Sequence, residues 1–182
     1  GSIPVINALS DLEHPCQALA DLYTVIDKTG FPKKKSSVRI ALIGDGANNT
    51  FHSLILGAQK LNMHGVVACP KGYEPKVEHP LFEVTRDPRK AVQDADVIYT
   101  DTWVSMGQEK EEKRREKDLK KYQVNAELLD HAGRNVIVMH PLPAHRGMEI
   151  TSEVLDGPQS IVLDQAENRL HVQKSILYLL LR

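Results

Sequence analysis

Polar side chains that could bind a charged ligand follow several short apolar runs of this sequence. Asp45 and Asn49 follow the first run, Asp101 and His140 follow later ones, and residues 164–169 follow the last. A single Asp or Asn after a strand usually only stabilises a turn. Several of them would meet at one edge of a parallel sheet, where α/β proteins bind their ligands. A carboxylate, amides and an arginine there predict a site for a zwitterion or a phosphate.

These runs alternate with stretches of helical spacing along the chain. The apolar runs predict five strands, at residues 38–44, 65–70, 97–100, 136–139 and 161–163. Helical spacing predicts helices at residues 14–30, 51–62 and 89–95, in parts of 110–131, and at 167–181. This alternation predicts an α/β fold, with a doubly wound, mainly parallel five-stranded sheet and helices on both faces.

Other site motifs fit the sequence poorly. Gly44-Asp45-Gly46 follows a strand, but Asn49 stands where a dinucleotide fingerprint has its third glycine. The sequence contains no GxxxxGK[ST] loop, and its eight histidines form no HExxH motif. Ser105 lacks the GxSxG setting of a nucleophile. We therefore expect neither dinucleotide binding nor nucleotide hydrolysis, and ordinary polar roles for the histidines.

Composition points to one domain with a small partner. The chain has 182 residues, of which 41% are hydrophobic, and a formal net charge of -1, so we expect neither nucleic-acid nor membrane binding. Two cysteines without CxxC spacing favour a reducing compartment, and we expect a cytoplasmic protein. The chain begins at Gly1 without a methionine, and we expect a fragment.

Four separated motifs resemble the ornithine carbamoyltransferases of the aspartate/ornithine carbamoyltransferase family. They are Ser10-Asp11-Leu12-Glu13-His14-Pro15-Cys16-Gln17-Ala18-Leu19-Ala20-Asp21, Gly44-Asp45-Gly46-Ala47-Asn48-Asn49, Asp101-Thr102-Trp103-Val104-Ser105-Met106-Gly107 and Glu167-Asn168-Arg169. They occur in the family's order and span the chain. The resemblance implies the ornithine-binding half of such an enzyme, without its carbamoyl-phosphate half. It divides the chain into a crossover helix region at 1–30, an ornithine-binding α/β domain at 31–165, and a C-terminal helix at 166–182 that would pack toward the carbamoyl-phosphate domain.

The resemblance also implies substrates and residue roles. The substrates would be L-ornithine and carbamoyl phosphate, with no metal or redox cofactor, and the complete enzyme would be a homotrimer or larger. Roles carried over by position assign His14 and Gln17 to the carbamoyl group, Arg169 to carbamoyl phosphate, Asn49 to the α-carboxylate of ornithine, Asp101 to its α-amine, and Ser105 with Met106 to a loop that folds over it.

One position departs from the family pattern. Most ornithine carbamoyltransferases have His-Cys-Leu-Pro, whereas this sequence has Pro141 in the run His140-Pro141-Leu142-Pro143, as in aspartate carbamoyltransferases. Proline has neither a thiol nor an amide N–H, so only the carbonyls of Pro141 and Leu142 could accept a hydrogen bond from substrate. Two alternatives follow: a carbamoyltransferase for a different amine acceptor, or a non-catalytic homologue that binds an amino acid.

The stretch from residue 109 to 121 is charged at every position except Leu119. Two interpretations are open. It could be the outer face of a lid that begins at Ser105, or a solvated helix with i,i+4 ion pairs.

Overall fold

A five-stranded, entirely parallel sheet forms the centre of the fold. The computed structural model describes residues 3–33, 37–104 and 109–181. The strands are β1 (Arg39–Ile43), β2 (His64–Ala68), β3 (Phe82–Thr85), β4 (Val97–Thr100) and β5 (Ile137–Met139). Their order across the sheet is β3-β2-β1-β4-β5. Because the chain starts in the middle and extends first to one edge and then to the other, the sheet is doubly wound, which confirms the predicted fold class.

Within the described residues, seven α-helices connect and cover the strands. They are α1 (Pro15–Thr29), α2 (Asn49–Lys60), α3 (Pro88–Val92), α4 (Glu112–Leu119), α5 (Ala126–Leu129), α6 (Ser152–Leu155) and α7 (Val162–Leu180). Short 3-10 turns at Glu109–Glu111 and Lys120–Tyr122 flank α4. Helix α1 packs against α2 and α7, whereas α3 packs against α5. The chain changes direction across the sheet between β3 and β4, and because parallel crossovers are right-handed, α2 and α3 are expected on opposite faces.

Local sequence signals explain where α1 and α2 begin and end. Pro15 opens α1, where its missing N–H costs nothing, and Gly30 closes it in the left-handed conformation with φ of 70°. Asn48 caps α2 by accepting a hydrogen bond of 2.7 Å from the N–H of Phe51. These caps set both ends of α1 and the start of α2.

One predicted strand is wrong and one strand was missed. Residues 161–163 do not form a strand: only a single bridge joins Ser160 to Val138, and α7 begins at Val162, five residues before the predicted start. A three-residue apolar run does not distinguish a strand from a buried helical turn. The missed strand, β3, lies at the opposite edge and buries only Phe82 completely, so it has no continuous apolar run.

Part of the predicted site lies on a helix and not after a strand. Asp164, Gln165 and Arg169 do not follow a strand; they lie on the first half of α7. Gln165 and Arg169 are four residues apart and therefore share one face of that helix. That face is turned toward α1. In the described part of the chain, no helix is both long and apolar enough to cross a membrane.

Candidate functional site

A cleft of about 770 Å³ opens at the carboxyl ends of the central strands. Seven of the nine residues that the sequence analysis assigned to substrate lie along it, namely His14, Gln17, Asn49, Asp101, Pro141, Leu142 and Arg169. The other two, Ser105 and Met106, lie outside the described residues. The fold therefore brings together residues that are up to 155 positions apart in sequence.

Asp101 follows β4 directly and lies at the floor of the cleft. Its Oδ1 accepts a hydrogen bond of 2.7 Å from the N–H of Thr102. Burial raises the pKa of Asp101, while the nearby His140, Thr50 and the Thr102 N–H lower it. An ammonium group that entered the cleft would favour the charged carboxylate, so Asp101 can serve as an amine-binding group.

Asn49 is the first residue of α2, after the capping residue Asn48. Its Nδ2 donates a hydrogen bond of 2.8 Å to the carbonyl of Ser10, which ties the segment before α1 to this helix. The free N–H groups and the dipole at the start of a helix favour an anion. No acidic residue occupies the first turn of α2, so its start suits a ligand carboxylate.

His14, Gln17 and Arg169 form the wall on the side of α1 and α7. Oε1 of Gln17 accepts a hydrogen bond from the guanidinium of Arg169. Nδ1 of His14 lies 2.9 Å from the carbonyl of Ala8, and it must carry a proton because a carbonyl only accepts. Burial, and then the charge of Arg169, lower the pKa of His14. The neutral ring thus leaves one nitrogen for a ligand.

The loop after β5 forms the opposite wall, at Pro141 and Leu142. Leu142 has a positive φ of 56°, which is unfavourable for a leucine. Its N–H donates a hydrogen bond of 2.9 Å to Nδ1 of His140, and Nε2 of His140 lies 3.1 Å from Oε1 of Glu149. His140 and Glu149 are both fully buried. This pair, which the sequence analysis missed, holds the strained backbone of Leu142 in place.

A buried carboxylate, Asp21, lies behind the α1 and α7 wall. Its Oδ1 accepts hydrogen bonds from Nε2 of Gln17 (2.8 Å) and Nε2 of Gln165 (2.7 Å). Its Oδ2 accepts one of 2.7 Å from the hydroxyl of Tyr99. Burial raises the pKa of Asp21 to about 6, although its three hydrogen bonds lower it. The four-residue spacing from Gln17 was the only signal of this contact in the sequence.

The charged stretch contains a buried ion pair. The guanidinium of Arg115 contacts the carboxylate of Asp45, and both side chains are almost completely buried. Nε of Arg115 donates a hydrogen bond of 2.6 Å to the carbonyl of Trp103, and the guanidinium lies 5.1 Å from the ring centre of Tyr73. The interpretation as a solvated helix with i,i+4 ion pairs fits most of α4, where Arg114 pairs with Asp118, but Arg115 is an exception because its side chain is buried. Asp45, predicted at the rim, is paired with Arg115 and is not part of the described lining of the cleft.

Two family models match the chain. The Asp/Orn binding domain of aspartate/ornithine carbamoyltransferase matches residues 36–180. The carbamoyl-P binding domain of the same family matches residues 1–27. The first match covers well over half of the chain. The chain belongs to the aspartate/ornithine carbamoyltransferase family. The resemblance read from the four motifs is thereby confirmed.

Curated members of this family resemble the chain over its whole length. The ornithine carbamoyltransferase of Methanosarcina acetivorans is 51% identical over 189 residues, a match that covers 100% of this chain and 61% of the relative. That of Oceanobacillus iheyensis is 53% identical over 188 residues, covering 97% of this chain and 57% of the relative. The chain thus spans about 60% of the length of these relatives.

Solved carbamoyltransferase structures share the fold. Ornithine carbamoyltransferase from Thermus thermophilus superposes with a TM-score of 0.87 at 41% identity, covering 100% of this chain and 60% of the other. The enzyme from Pyrococcus furiosus gives a TM-score of 0.86 at 48% identity, covering 97% of this chain and 59% of the other. The doubly wound sheet is therefore the fold of this family's ornithine carbamoyltransferases.

Proposed function

We propose that this chain is the ornithine-binding part of an ornithine carbamoyltransferase, which transfers the carbamoyl group of carbamoyl phosphate to the side-chain amine of L-ornithine. The products are L-citrulline and phosphate. The observation that carries the proposal is that one cleft joins Asn49 and Asp101, which suit an amino acid, to Gln17 and Arg169, which suit a carbamoyl phosphate. The names of the similar relatives support the same reaction.

L-ornithine occupies the side of the cleft at β4 and α2. Asp101 binds its α-amine, because a partly buried carboxylate gains most from a cation. Asn49 and the start of α2 bind its α-carboxylate through N–H donors. Ser105 and Met106 complete this subsite by resemblance to the family. The side-chain amine then extends toward the loop after β5.

Carbamoyl phosphate occupies the side of the cleft at α1 and α7. The neutral side-chain amine of ornithine attacks the carbamoyl carbon, a C–N bond forms, and the C–O bond to phosphate breaks with its electron pair leaving on phosphate. The departing phosphate takes up the proton that the attacking nitrogen loses. Arg169 stabilises the negative charge that develops, while Gln17 and the carbonyls of Pro141 and Leu142 accept hydrogen bonds from the carbamoyl NH2. His14 contacts the carbamoyl group. No atom changes its oxidation state, so the reaction as written uses no redox cofactor, and no step in it calls on a metal.

The domain division is part of the proposal. Residues 1–30 are the crossover helix region, 31–165 are the ornithine-binding domain, and 166–182 pack toward a carbamoyl-phosphate-binding domain. Large apolar side chains exposed on α1 and α7, including Leu19, Leu170 and Leu177, support such packing. A homotrimer, a cytoplasmic location and a place in arginine biosynthesis belong to the same proposal.

Pro141 favours a second candidate, in which another amine is the acceptor. Its run, His140-Pro141-Leu142-Pro143, is the one that resembles aspartate carbamoyltransferases. Aspartate would, however, bring a second carboxylate close to Asp101. Burial already raises the pKa of Asp101, and repulsion between like charges would disfavour this ligand further. We therefore propose ornithine as the acceptor.

An acceptor panel tests the proposal. The complete gene product that carries this sequence is supplied with carbamoyl phosphate and, separately, L-ornithine, L-aspartate, N-acetylornithine or putrescine, and carbamoylated product is measured. Turnover with ornithine alone is expected. Turnover with another amine would overturn the ornithine assignment while keeping the reaction type. Binding of an amino acid without turnover, in a folded protein, would support a non-catalytic homologue instead.

A further inference from the structure

The buried Asp21 is connected to both walls of the carbamoyl-phosphate subsite through two glutamine side chains. Gln17 donates its NH2 to Asp21 and accepts from Arg169 with Oε1. Gln165 donates its NH2 to the same Oδ1 of Asp21 and accepts a hydrogen bond of 2.9 Å from the N–H of His140 with its Oε1. Both glutamines and Asp21 are at most 1% exposed.

A carboxylate in this position determines which way each amide faces. An ionised carboxylate only accepts hydrogen bonds, so each glutamine must turn its NH2 toward Asp21 and its carbonyl oxygen away from it. The outward oxygen of Gln17 therefore meets Arg169. The outward oxygen of Gln165 meets the N–H of His140, the residue that precedes Pro141. An inverted amide at either position would place two donors against each other.

We propose that Asp21 is a positioning residue for carbamoyl phosphate, which fixes the orientation of the Gln17 amide beside Arg169 and, through Gln165, the backbone that leads to Pro141. This inference rests on the proposed function. Neither chain of hydrogen bonds reaches Asn49 or Asp101, the residues proposed to bind the α-groups of ornithine, so we expect the loss of Asp21 to affect carbamoyl phosphate more than ornithine. Asp21 itself does not line the cleft, and its hydrogen bonds reach the cleft through the two glutamines.

The variants separate positioning from general stability. Asp21→Ala removes the acceptor for both amides, and Asp21→Asn keeps an acceptor oxygen without the charge. Tyr99→Phe removes the donor to Oδ2 and a long hydrogen bond of 3.5 Å that the Tyr99 hydroxyl accepts from Nε2 of Gln165, but it leaves both amides their acceptor on Asp21. The matched control is Thr24→Val on the same helix. Thr24 is fully buried, accepts a hydrogen bond of 2.9 Å from Asn168 on α7 and donates one of 2.7 Å to the carbonyl of Ala20. Among the described residues it has no hydrogen bond to either glutamine.

Steady-state kinetics of the complete gene product separates an effect on carbamoyl phosphate from an effect on ornithine. For Asp21→Ala we expect kcat/KM for carbamoyl phosphate to fall by about tenfold or more, the scale of one lost charge-assisted hydrogen bond, while KM for ornithine changes by less than about threefold. Asp21→Asn should recover part of this loss, and Tyr99→Phe and Thr24→Val should lie within about threefold of wild type. Equal losses for both substrates, or no loss for carbamoyl phosphate, would overturn the proposal.

Two further readouts keep the test decisive. If Asp21→Ala does not fold, Asp21→Asn decides, because it must still weaken carbamoyl phosphate more than ornithine. If the wild-type protein shows no turnover, the proposed function fails, and side-chain amide NMR signals test the positioning separately. Asp21→Asn must then shift the NH2 signals of both Gln17 and Gln165, whereas Thr24→Val must leave them unchanged; unshifted signals would overturn the inference.

Discussion

Two aspartates are buried to a similar degree in different parts of this molecule. One carboxylate is paired with a cation, and the other is bound only by neutral hydrogen-bond donors. Asp45, at the end of β1, is 6% exposed and contacts the guanidinium of Arg115 on α4. Asp21, between α1 and α7, is 0% exposed and receives hydrogen bonds only from the neutral side chains of Gln17, Gln165 and Tyr99 among the described residues.

The two carboxylates contribute differently to stability. Removing one partner of a buried ion pair leaves an uncompensated charge, so the fold depends on Asp45 as long as Arg115 is buried beside it. A buried carboxylate without a cation is less stable in its charged form, as the raised pKa of Asp21 shows. A group that costs stability and connects to a ligand-binding wall is better explained by function than by folding.

The largest expected effect is on the stability of the Asp45 region. Asp45→Asn should lower the free energy of unfolding by about 3–5 kcal/mol, because Arg115 would remain charged and buried without its partner. Denaturant unfolding measures this change. The double variant Asp45→Asn with Arg115→Met is the control and should recover much of the loss. A decrease below about 1 kcal/mol in the single variant would contradict the account.

Asp101 differs from both Asp45 and Asp21, because the cation proposed to pair with it is the α-ammonium group of the ligand. We expect an effect smaller than that of Asp45→Asn. Asp101→Asn should weaken ornithine binding by roughly 1.5–3 kcal/mol, the scale of a hydrogen bond to a charged group. Calorimetry on the complete gene product measures the affinity, with Thr24→Val as the control. Unchanged affinity would remove the assignment of Asp101 to the α-amine.

The pH dependence of stability distinguishes Asp21 from Asp45. The folded chain holds the pKa of Asp21 at about 6, above its ordinary value of 3.8, so folding binds a proton at intermediate pH. Stability from this group is therefore lost as pH rises through about 6 and gained as pH falls. Between pH 7 and pH 5, the wild type should gain about 1 kcal/mol relative to Asp21→Asn.

Urea unfolding of both proteins at these two pH values measures the gain. The comparison of wild type with Asp21→Asn cancels the contribution of titrating groups that do not interact with Asp21. Asp101, whose charge raises the pKa of Asp21, interacts with it and therefore contributes to the measured difference. A difference between the two proteins that stays constant with pH would show that Asp21 titrates normally.

The smallest expected effect is at an exposed ion pair. The guanidinium of Arg89 contacts the carboxylate of Glu127, and both side chains are more than half exposed. Glu127→Gln should change the free energy of unfolding by less than about 0.5 kcal/mol, because water screens the pair. An effect as large as that of Asp45→Asn would show that burial does not explain the difference between the ion pairs.

The sequence predicted the elements that carry strong local signals. Pro15 and Gly30 marked the ends of α1, and four of the five strands followed from apolar runs. Strand β3 was missed because Glu83 interrupts its apolar character, and the first turn of α7 was misread because three apolar residues fit either structure. Local patterns fail where an element is short or only half buried.

In the candidate site, too, residues within local motifs were predicted and long-range contacts were not. The residues that line the cleft were found through motifs, although their roles remain predictions. The network behind them was missed, because Asp21 meets Gln165 across 144 residues and Tyr99 across 78. No local pattern contains contacts of that range. The burial of Arg115 was not predicted either, because its neighbours in sequence are charged and its partner, Asp45, lies 70 residues away.

The deciding measurement for the role of Asp21 is the turnover of carbamoyl phosphate by the Asp21→Asn protein, on a preparation whose unfolding is measured in parallel. We predict a kcat/KM for carbamoyl phosphate clearly below that of wild type, while the free energy of unfolding at pH 7 stays within about 1.5 kcal/mol of wild type. Wild-type turnover in this variant, or a loss of stability as large as that of Asp45→Asn, would contradict the account.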